Sequence, residues 1–210
     1  QYKMQAPTIV LVGNFDAARV LGRLLRAFPA STEAINPTVQ PASVTYQNPP
    51  ANGPTVLELP REQVHLVRVY PGLPLGHADE PAMVLLMEIL SGASGRLFRE
   101  LREARGLSYS VSGMALTGTV GGAVTFHLST QPGREGEATV ALDELLSTLA
   151  SAGPSDEELS RARAYLSGAR RLQSQASSDI AQSNALDVLY GLGLDREDQL
   201  ERAMMNVTGD

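Results

Sequence analysis

The sequence predicts an α+β domain with a mixed, mostly antiparallel sheet and helices packed mainly on one face. One observation is the order of its periodic segments: strand, helix, strand, helix, helix, hairpin, helix, helix. A second is a pair of strand-like runs, residues 108–116 and 120–130, joined around Thr-Gly-Thr, which favours a hairpin. A third is the stop signal Gly153-Pro154, which separates two long helical patterns.

The N-terminal part predicts one strand, one helix and a long connection. Residues 8–13 form a short apolar run ending in glycine, which is typical of a buried strand. Asp16 is placed to cap a helix that continues to residue 28 with an apolar stripe. Residues 29–54 contain six prolines and predict a long exposed connection without regular structure.

The central part predicts a strand at residues 64–70 and two helices. Residues 79–90 form a helix pattern with almost no polar face, so we expect this helix to be buried. Glycines 92 and 95 interrupt it, and residues 95–105 then predict a charged helix. Gly106 stands where a glycine often ends a helix.

The C-terminal part predicts four helices after the hairpin. Residues 135–149 form an amphipathic pattern. Ser155 and Glu158 have the spacing of a capping box, so a further helix begins there. Helical patterns continue over residues 178–189 and 196–205.

The composition excludes several classes of protein. The net charge of −6 and pI near 5.1 argue against a nucleic-acid binder and against an anionic membrane surface as partner. The chain has no cysteine, which excludes disulfides, zinc–thiolate sites and a cysteine nucleophile. No apolar run is long enough for a transmembrane helix. The compartment stays open between cytoplasm and periplasm.

Arg102 and Tyr109 are the candidate site residues. Arg102 lies in the last turn of the charged helix, and Tyr109 begins a strand after a glycine turn. A forked guanidinium donor and a hydroxyl donor could together hold a peptide carbonyl and steady negative charge on its oxygen. The alternative is a solvated helix surface, with Arg96–Glu100 and Arg99–Glu103 as surface pairs at i,i+4 spacing.

The segment GRLFRELREARGLSYSV closely resembles the Arg–Tyr segment in the non-zinc, C-terminal half of pitrilysin/insulinase-type zinc metallopeptidases. The resemblance covers roughly residues 8–206, including the buried helix pattern at 76–92 and the helix, stop and capped helix at 129–169. The family often has two serines before Arg-Leu-Phe, where this chain has Ser94 followed by glycine.

The resemblance implies a supporting catalytic role. Arg102 and Tyr109 would bind the substrate main chain near the scissile bond, across a closed chamber from zinc. The zinc would belong to a similar domain of the same chain or to a catalytic subunit. Residues 1–210 would form a single domain of this kind, a fragment of a longer two-domain chain truncated at its C-terminus.

The zinc motif of such peptidases, H-x-x-E-H, is absent, so we expect no metal site and no cofactor in this chain. The histidines are His65, His77 and His127, and the sequence after His77 has Pro81 where a second ligand would stand. His65 and His127 fall in predicted strands, where packing or surface roles are expected. Alone, the chain is expected to be inactive.

Two other functions stay open. Family members without zinc serve as non-catalytic partners or structural subunits of related complexes. An unrelated α/β ligand-binding domain is the second alternative, although Gly13 after the first strand is not followed by a G-x-G-x-x-G loop. The sequence does not decide the oligomeric state, so a homodimer stays open. Richness in Arg, Ala, Leu and Gly suggests a bacterial source.

Overall fold

The computed structural model describes residues 8–28, 54–92 and 94–209. The chain forms two compact units, one of Gln1–Val44 with Ala169–Arg196 and one of Thr45–Gly168 with Glu197–Asp210. The predicted α+β class is confirmed. The elements in chain order are α1 (Ala17–Ala27), β1 (Val64–Gly72), α2 (Glu80–Ser91), a π-helix (Phe98–Ala104), β2 (Ser110–Thr117), β3 (Gly122–Thr130), α3 (Glu135–Ala152), α4 (Asp156–Gln173), α5 (Ser177–Leu189) and α6 (Arg196–Asn206).

In the first unit, the predicted helix after Asp16 is confirmed as α1. The Asp16 carboxylate accepts a hydrogen bond from the Arg19 backbone N–H at 3.1 Å, which satisfies one of the free donors of the first turn. The apolar stripe of α1 stays accessible, with Leu21 56% and Leu25 61% exposed. The predicted helix at residues 178–189 is also confirmed, as α5.

The buried strand predicted at residues 8–13 is wrong. This segment has no regular structure, and Ile9 and Leu11 are 42% and 47% exposed. A strand is stabilised by ladder hydrogen bonds to a neighbour, and the sheet of the described residues contains only β1, β3 and β2. The proline-rich connection predicted at 29–54 lies outside the described residues apart from Pro54.

The second unit contains the sheet, in which β3 lies between β1 and β2 and both pairs are antiparallel. The predicted hairpin is therefore confirmed as β2 and β3. Leu128 of β3 is opposite Leu66 of β1 and Val111 of β2, so apolar side chains meet across all three strands.

The main core lies on one face of this sheet. Val124, Phe126 and Leu128 alternate along β3 and are 7% exposed or less. They pack in one cluster with Leu142 and Leu145 of α3, and residues of α2 and the π-helix complete the cluster. This arrangement agrees with the predicted packing of helices on one face.

Helix α2 is buried because it lies between two apolar clusters of the same unit. Leu90 belongs to the cluster on the sheet, whereas Leu85 and Ile89 pack with Leu159 of α4 and Met204 of α6. A helix with apolar partners on both sides needs apolar residues almost all round. The near absence of a polar face in its sequence is explained by this position.

The predicted capping box at the start of α4 is confirmed. The Glu158 backbone N–H donates to Ser155 Oγ at 3.2 Å, and the Ser155 N–H donates to Glu158 Oε2 at 2.9 Å. The two contacts satisfy backbone donors that the first turn of a helix leaves free. They also fix the Glu158 carboxylate beside Arg96, two residues before the π-helix begins.

Candidate functional site

The structure brings the two candidate residues together. Arg102 lies in the π-helix, and Tyr109 directly precedes β2. The guanidinium carbon of Arg102 lies 5.2 Å from the centroid of the Tyr109 ring, which is cation–π distance. Arg102 and Tyr109 are seven positions apart in the sequence, and the turn between them brings both side chains together on the surface.

The backbone between these residues is unusual. The predicted charged helix at 95–105 is present, but residues 98–104 are wound as a π-helix. The Arg105 N–H donates to Glu100 O at 3.2 Å, and the Leu107 N–H donates to Leu101 O at 2.8 Å. π-Helical turns are rare and occur often at functional sites. Gly106 follows with φ of +57°, a conformation that L side chains rarely adopt.

Tyr109 is held by backbone contacts to β3. Its N–H donates to Ser129 O at 3.3 Å. The hydroxyl of the preceding Ser108 donates to the same oxygen at 2.9 Å and lies 2.6 Å from Ser110 O. The main chain at Tyr109 is thus anchored, while its side chain is 74% exposed and its hydroxyl has no hydrogen bond to any described residue.

The other arginines of the segment make ion pairs. Arg96 pairs with Glu158 at 2.6 Å, Arg99 reaches the same carboxylate at 3.3 Å, and Arg105 pairs with Glu144 at 2.8 Å. The alternative in which Arg96 and Arg99 form surface pairs with Glu100 and Glu103 is therefore not what the structure shows. Glu158 is already fixed next to both arginines by the capping box, so it is their acceptor in place of Glu100 and Glu103.

The ion pair between Arg96 and Glu158 is largely buried, with side chains 14% and 10% exposed. Both guanidinium contacts are short, Nε to Oε1 at 2.8 Å and Nη2 to Oε2 at 2.6 Å. These hydrogen bonds from Arg96 are the main reason that the pKa of Glu158 falls to about 2. The same contact raises the pKa of Arg96. The pair joins the short stretch of chain directly before the π-helix to the first turn of α4.

Arg102 differs from these neighbours. Within residues 8–28, 54–92 and 94–209 its guanidinium has no hydrogen bond and no carboxylate partner, and its contacts are with aromatic rings. Stacking on a ring uses the face of the guanidinium, whereas its N–H groups lie in the plane and point outward. Arg102 and Tyr109 therefore present, side by side and exposed, hydrogen-bond donors for which the described residues offer no acceptor.

Phe98 also contacts Arg102, and it was not predicted as a site residue from the sequence. The guanidinium carbon of Arg102 lies 4.9 Å from the centroid of the Phe98 ring. Residues four apart on a helix are neighbours, so the spacing of Phe98 and Arg102 was the signal that could have indicated the contact. Phe98 is half-buried and does not belong to the core cluster of the sheet.

A concavity elsewhere in the same unit lacks such groups. Its volume is about 420 Å³, and its wall includes Tyr70, Met83, Met87 and Phe126. Every lining residue is apolar or aromatic. Without charged groups or a cluster of hydrogen-bond donors, it offers nothing that would hold a polar main chain or stabilise developing charge.

The histidines do not form a metal site. His65 Nδ1 and His127 Nε2 are 3.0 Å apart on neighbouring strands, and their rings stack with centroids 5.2 Å apart. His77 Nδ1 accepts the Asp79 backbone N–H at 3.1 Å in the turn before α2. No group of three or more His, Asp or Glu side chains in the described part of the chain could hold a metal ion. The residues present do not fit a catalytic zinc, which takes three protein ligands.

No helix among the described residues is long and apolar enough to cross a membrane.

Comparison with known families gives one match to a family model. Residues 2–166 match the model described as peptidase M16 inactive domain. Relatives include an uncharacterised zinc protease of Streptomyces coelicolor, 30% identical over 168 residues that cover 76% of this chain and 36% of the relative. An uncharacterised zinc protease of Bacillus subtilis is 28% identical over 132 residues, which cover 62% of this chain and 32% of that protein. The chain thus spans about a third of the length of these curated relatives.

Solved structures agree in fold. A peptidase M16 inactive domain from Pseudomonas fluorescens has a TM-score of 0.66 and 25% identity, covering 72% of this chain and 36% of that one. A protease from Helicobacter pylori has a TM-score of 0.74 at 19% identity, covering 94% of this chain and 48% of that one. At this identity the second likeness shows the fold alone.

Proposed function

This chain belongs to the peptidase M16 family as an inactive domain, which confirms the resemblance to pitrilysin/insulinase-type peptidases, and we propose that it is the substrate-binding half of a zinc-dependent endopeptidase. It would hold an extended peptide opposite a zinc-bearing domain. That domain would be part of the same chain or of a catalytic subunit. The zinc-protease names of the bacterial relatives support this proposal.

The guanidinium of Arg102, which lies beside the Tyr109 ring and has no carboxylate partner in the described part of the chain, is the observation that carries the proposal. Arg96, Arg99 and Arg105 are each bound to a carboxylate, whereas Arg102 has none among the described residues. A surface arginine without a binding role is stabilised by pairing with a nearby carboxylate, and Glu100 and Glu103 are close to Arg102 in sequence. An arginine kept free at a fixed position is suited to an external acceptor.

The external acceptor would be a main-chain carbonyl of the peptide. The guanidinium N–H groups of Arg102 and the hydroxyl of Tyr109 can both donate to its oxygen. The same donors become stronger partners when negative charge develops on that oxygen during attack on the carbonyl carbon. The two residues would therefore position the peptide and stabilise the tetrahedral intermediate.

An extended peptide can also bind by strand addition. β2 begins next to Tyr109 and is an edge strand of the described three-stranded sheet. Alternate N–H and C=O groups along an edge are unpaired and can continue the ladder with a peptide. Main-chain recognition of this kind would fix the direction of the peptide and bring one carbonyl to Arg102.

The metal chemistry is not assigned to this chain. Its histidines are separated into a strand pair and a turn, and the described residues contain no set of ligands for zinc. The residues of this chain would therefore bind and orient the peptide and stabilise negative charge on its carbonyl oxygen. Attack on the peptide bond would depend on the complementary domain.

Arg102→Ala in the assembled protein tests the proposal. We expect kcat/KM for a cleaved peptide to fall about 100-fold, as for removal of an oxyanion donor. Arg105→Ala is the matched control, because Arg105 lies three residues away and is already paired with Glu144 on the surface. We expect that control to change kcat/KM less than twofold, since exposed ion pairs contribute little.

The same experiment distinguishes the peptidase role from that of a non-catalytic partner or structural subunit. Loss of turnover in Arg102→Ala with unchanged assembly on a sizing column supports the peptidase role. If Arg102→Ala and Arg105→Ala are equally active, Arg102 does not act on substrate. The alternative of a non-catalytic partner or structural subunit then replaces the proposal.

A further inference from the structure

We propose that Phe98 is a positioning residue, whose ring holds the Arg102 guanidinium in the orientation that receives substrate. The inference rests on the proposed function of Arg102 and extends it to a residue that need not touch the peptide. It assigns a purpose to the π-helical turn that contains both residues.

The geometry places Arg102 against two rings at once. Its guanidinium carbon is 4.9 Å from the Phe98 centroid and 5.2 Å from the Tyr109 centroid. Both distances are within the range in which the negative face of an aromatic ring attracts a cation. Tyr109 comes from the start of β2 and Phe98 from the start of the π-helix, so the arginine is held from two separate parts of the backbone.

Two rings restrict the arginine before substrate arrives. A free arginine side chain has many rotamers, and ordering it on binding costs conformational entropy. Contact with the rings removes part of that freedom in advance, while the in-plane N–H groups remain available. The absence of a carboxylate partner among the described residues has the same effect, because no competing acceptor turns the guanidinium away.

Phe98 is not explained by core packing. The residues of this turn that fill the core are Leu97 and Leu101, which are 1% and 0% exposed. Phe98 is only half-buried and is not part of the cluster that those leucines join. A large ring that packs on an arginine instead of on the core points to a role in placing that arginine.

The test compares Phe98→Leu with Phe98→Tyr in the assembled protein. Leucine keeps an apolar side chain but removes the ring, whereas tyrosine keeps the ring face. The probe is a peptide from an internally quenched fluorogenic library that the wild-type assembly cleaves, and the readouts are kcat and KM. Circular dichroism melting checks that both variants are folded.

We expect Phe98→Leu to lower kcat/KM by about two- to fivefold, the value of one exposed cation–π contact, and to lower kcat more than it raises KM. Phe98→Tyr should recover the wild-type value. In the Arg102→Ala background, Phe98→Leu should have no further effect, because a positioning residue acts only through the residue it positions.

Three results would overturn the inference while leaving the function of Arg102 intact. Phe98→Leu could be as active as wild type, Phe98→Tyr could be as impaired as Phe98→Leu, or the loss could persist undiminished without the arginine. The last would indicate a general structural role. A fully active Arg102→Ala variant would instead remove the proposed function, and the inference with it.

Discussion

The buried ion pair between Arg96 and Glu158 makes a pH-dependent contribution to stability that Glu158→Gln should remove. Glutamine keeps the shape of the side chain and can still serve in a capping box with Ser155. It removes only the negative charge opposite Arg96, whose side chain is 14% exposed. The change therefore leaves a largely buried cation without its counter-charge.

The magnitude follows from the pKa of Glu158. Hydrogen bonds from Arg96 lower it from 4.5 to about 2 on folding, which corresponds to about 3 kcal/mol at pH 7. Because the folded pKa is the lower one, this contribution is complete above pH 4.5 and is lost as the pH falls towards 2. At pH 3 somewhat less than half of it should remain, because Glu158 is then still mostly ionised in the folded state but mostly protonated in the unfolded state.

Urea unfolding followed by circular dichroism at pH 7, 5 and 3 measures this contribution. We expect the free energy of unfolding of Glu158→Gln to be about 3 kcal/mol below wild type at pH 7, with the gap about halved at pH 3. Glu157→Gln is the control, since Glu157 is 79% exposed and its pair with Arg161 lies on the surface of the same helical turn. That control should stay within about 0.5 kcal/mol of wild type.

Two results would refute this reasoning. A Glu158→Gln variant as stable as wild type at pH 7 would show that the pair contributes no net stability. A deficit that is the same at pH 7 and pH 3 would show that the lost stability comes from packing or capping and not from the charge of the carboxylate.

Three glycines give further predictions about stability. A methyl group at Gly95 would overlap with the Leu90 carbonyl group, so Gly95→Ala should lower the free energy of unfolding by about 1–3 kcal/mol. As a control, Gly136→Ala in the open first turn of α3 should be neutral or stabilising by about 1 kcal/mol at most. Gly106 has φ of +57° and no atom within 4 Å of an added methyl group, so Gly106→Ala should cost about 1–2 kcal/mol from backbone strain alone. Gly106→Asn should recover part of that loss, and chemical denaturation of each variant checks all three values.

The elements that the sequence predicted correctly are those with local signals. The capping box of Ser155 and Glu158, the cap at Asp16 and the Thr-Gly-Thr turn each act within a few residues, and each is present in the structure. The buried character of α2 was also predictable, because an apolar helix without a polar face has to be covered on several sides.

The errors concern features that depend on distant partners. Residues 8–13 have the composition of a strand, but a strand forms only where another strand offers a ladder, and no described strand does so. Arg96 and Arg99 have glutamates at helical spacing, yet both pair with Glu158, some sixty positions away. Sequence spacing identifies neighbours on one helix but does not identify a better acceptor on another element.

The site itself was only half predictable from the sequence. The resemblance pointed to Arg102 and Tyr109, and the structure places them within cation–π distance. The π-helical winding did not follow from helical periodicity, which assumes α-helical bonds throughout. The i,i+4 spacing of Phe98 and Arg102 was compatible with their contact, but Glu103 and other charged neighbours offered the arginine alternatives that spacing alone does not rank.

The pairing of the arginines separates stability from the proposed function. Arg96 pairs with Glu158 of α4 in a largely buried contact, whereas the pair of Arg105 with Glu144 of α3 is exposed. Neither pair involves Arg102, whose guanidinium contacts aromatic rings. If that division of roles is correct, Glu158→Gln should reduce stability at pH 7 while leaving peptide turnover in the folded assembly nearly unchanged, and Arg102→Ala should do the reverse. A variant of either kind that changed both quantities together would show that anchoring and substrate binding are not separate in this segment.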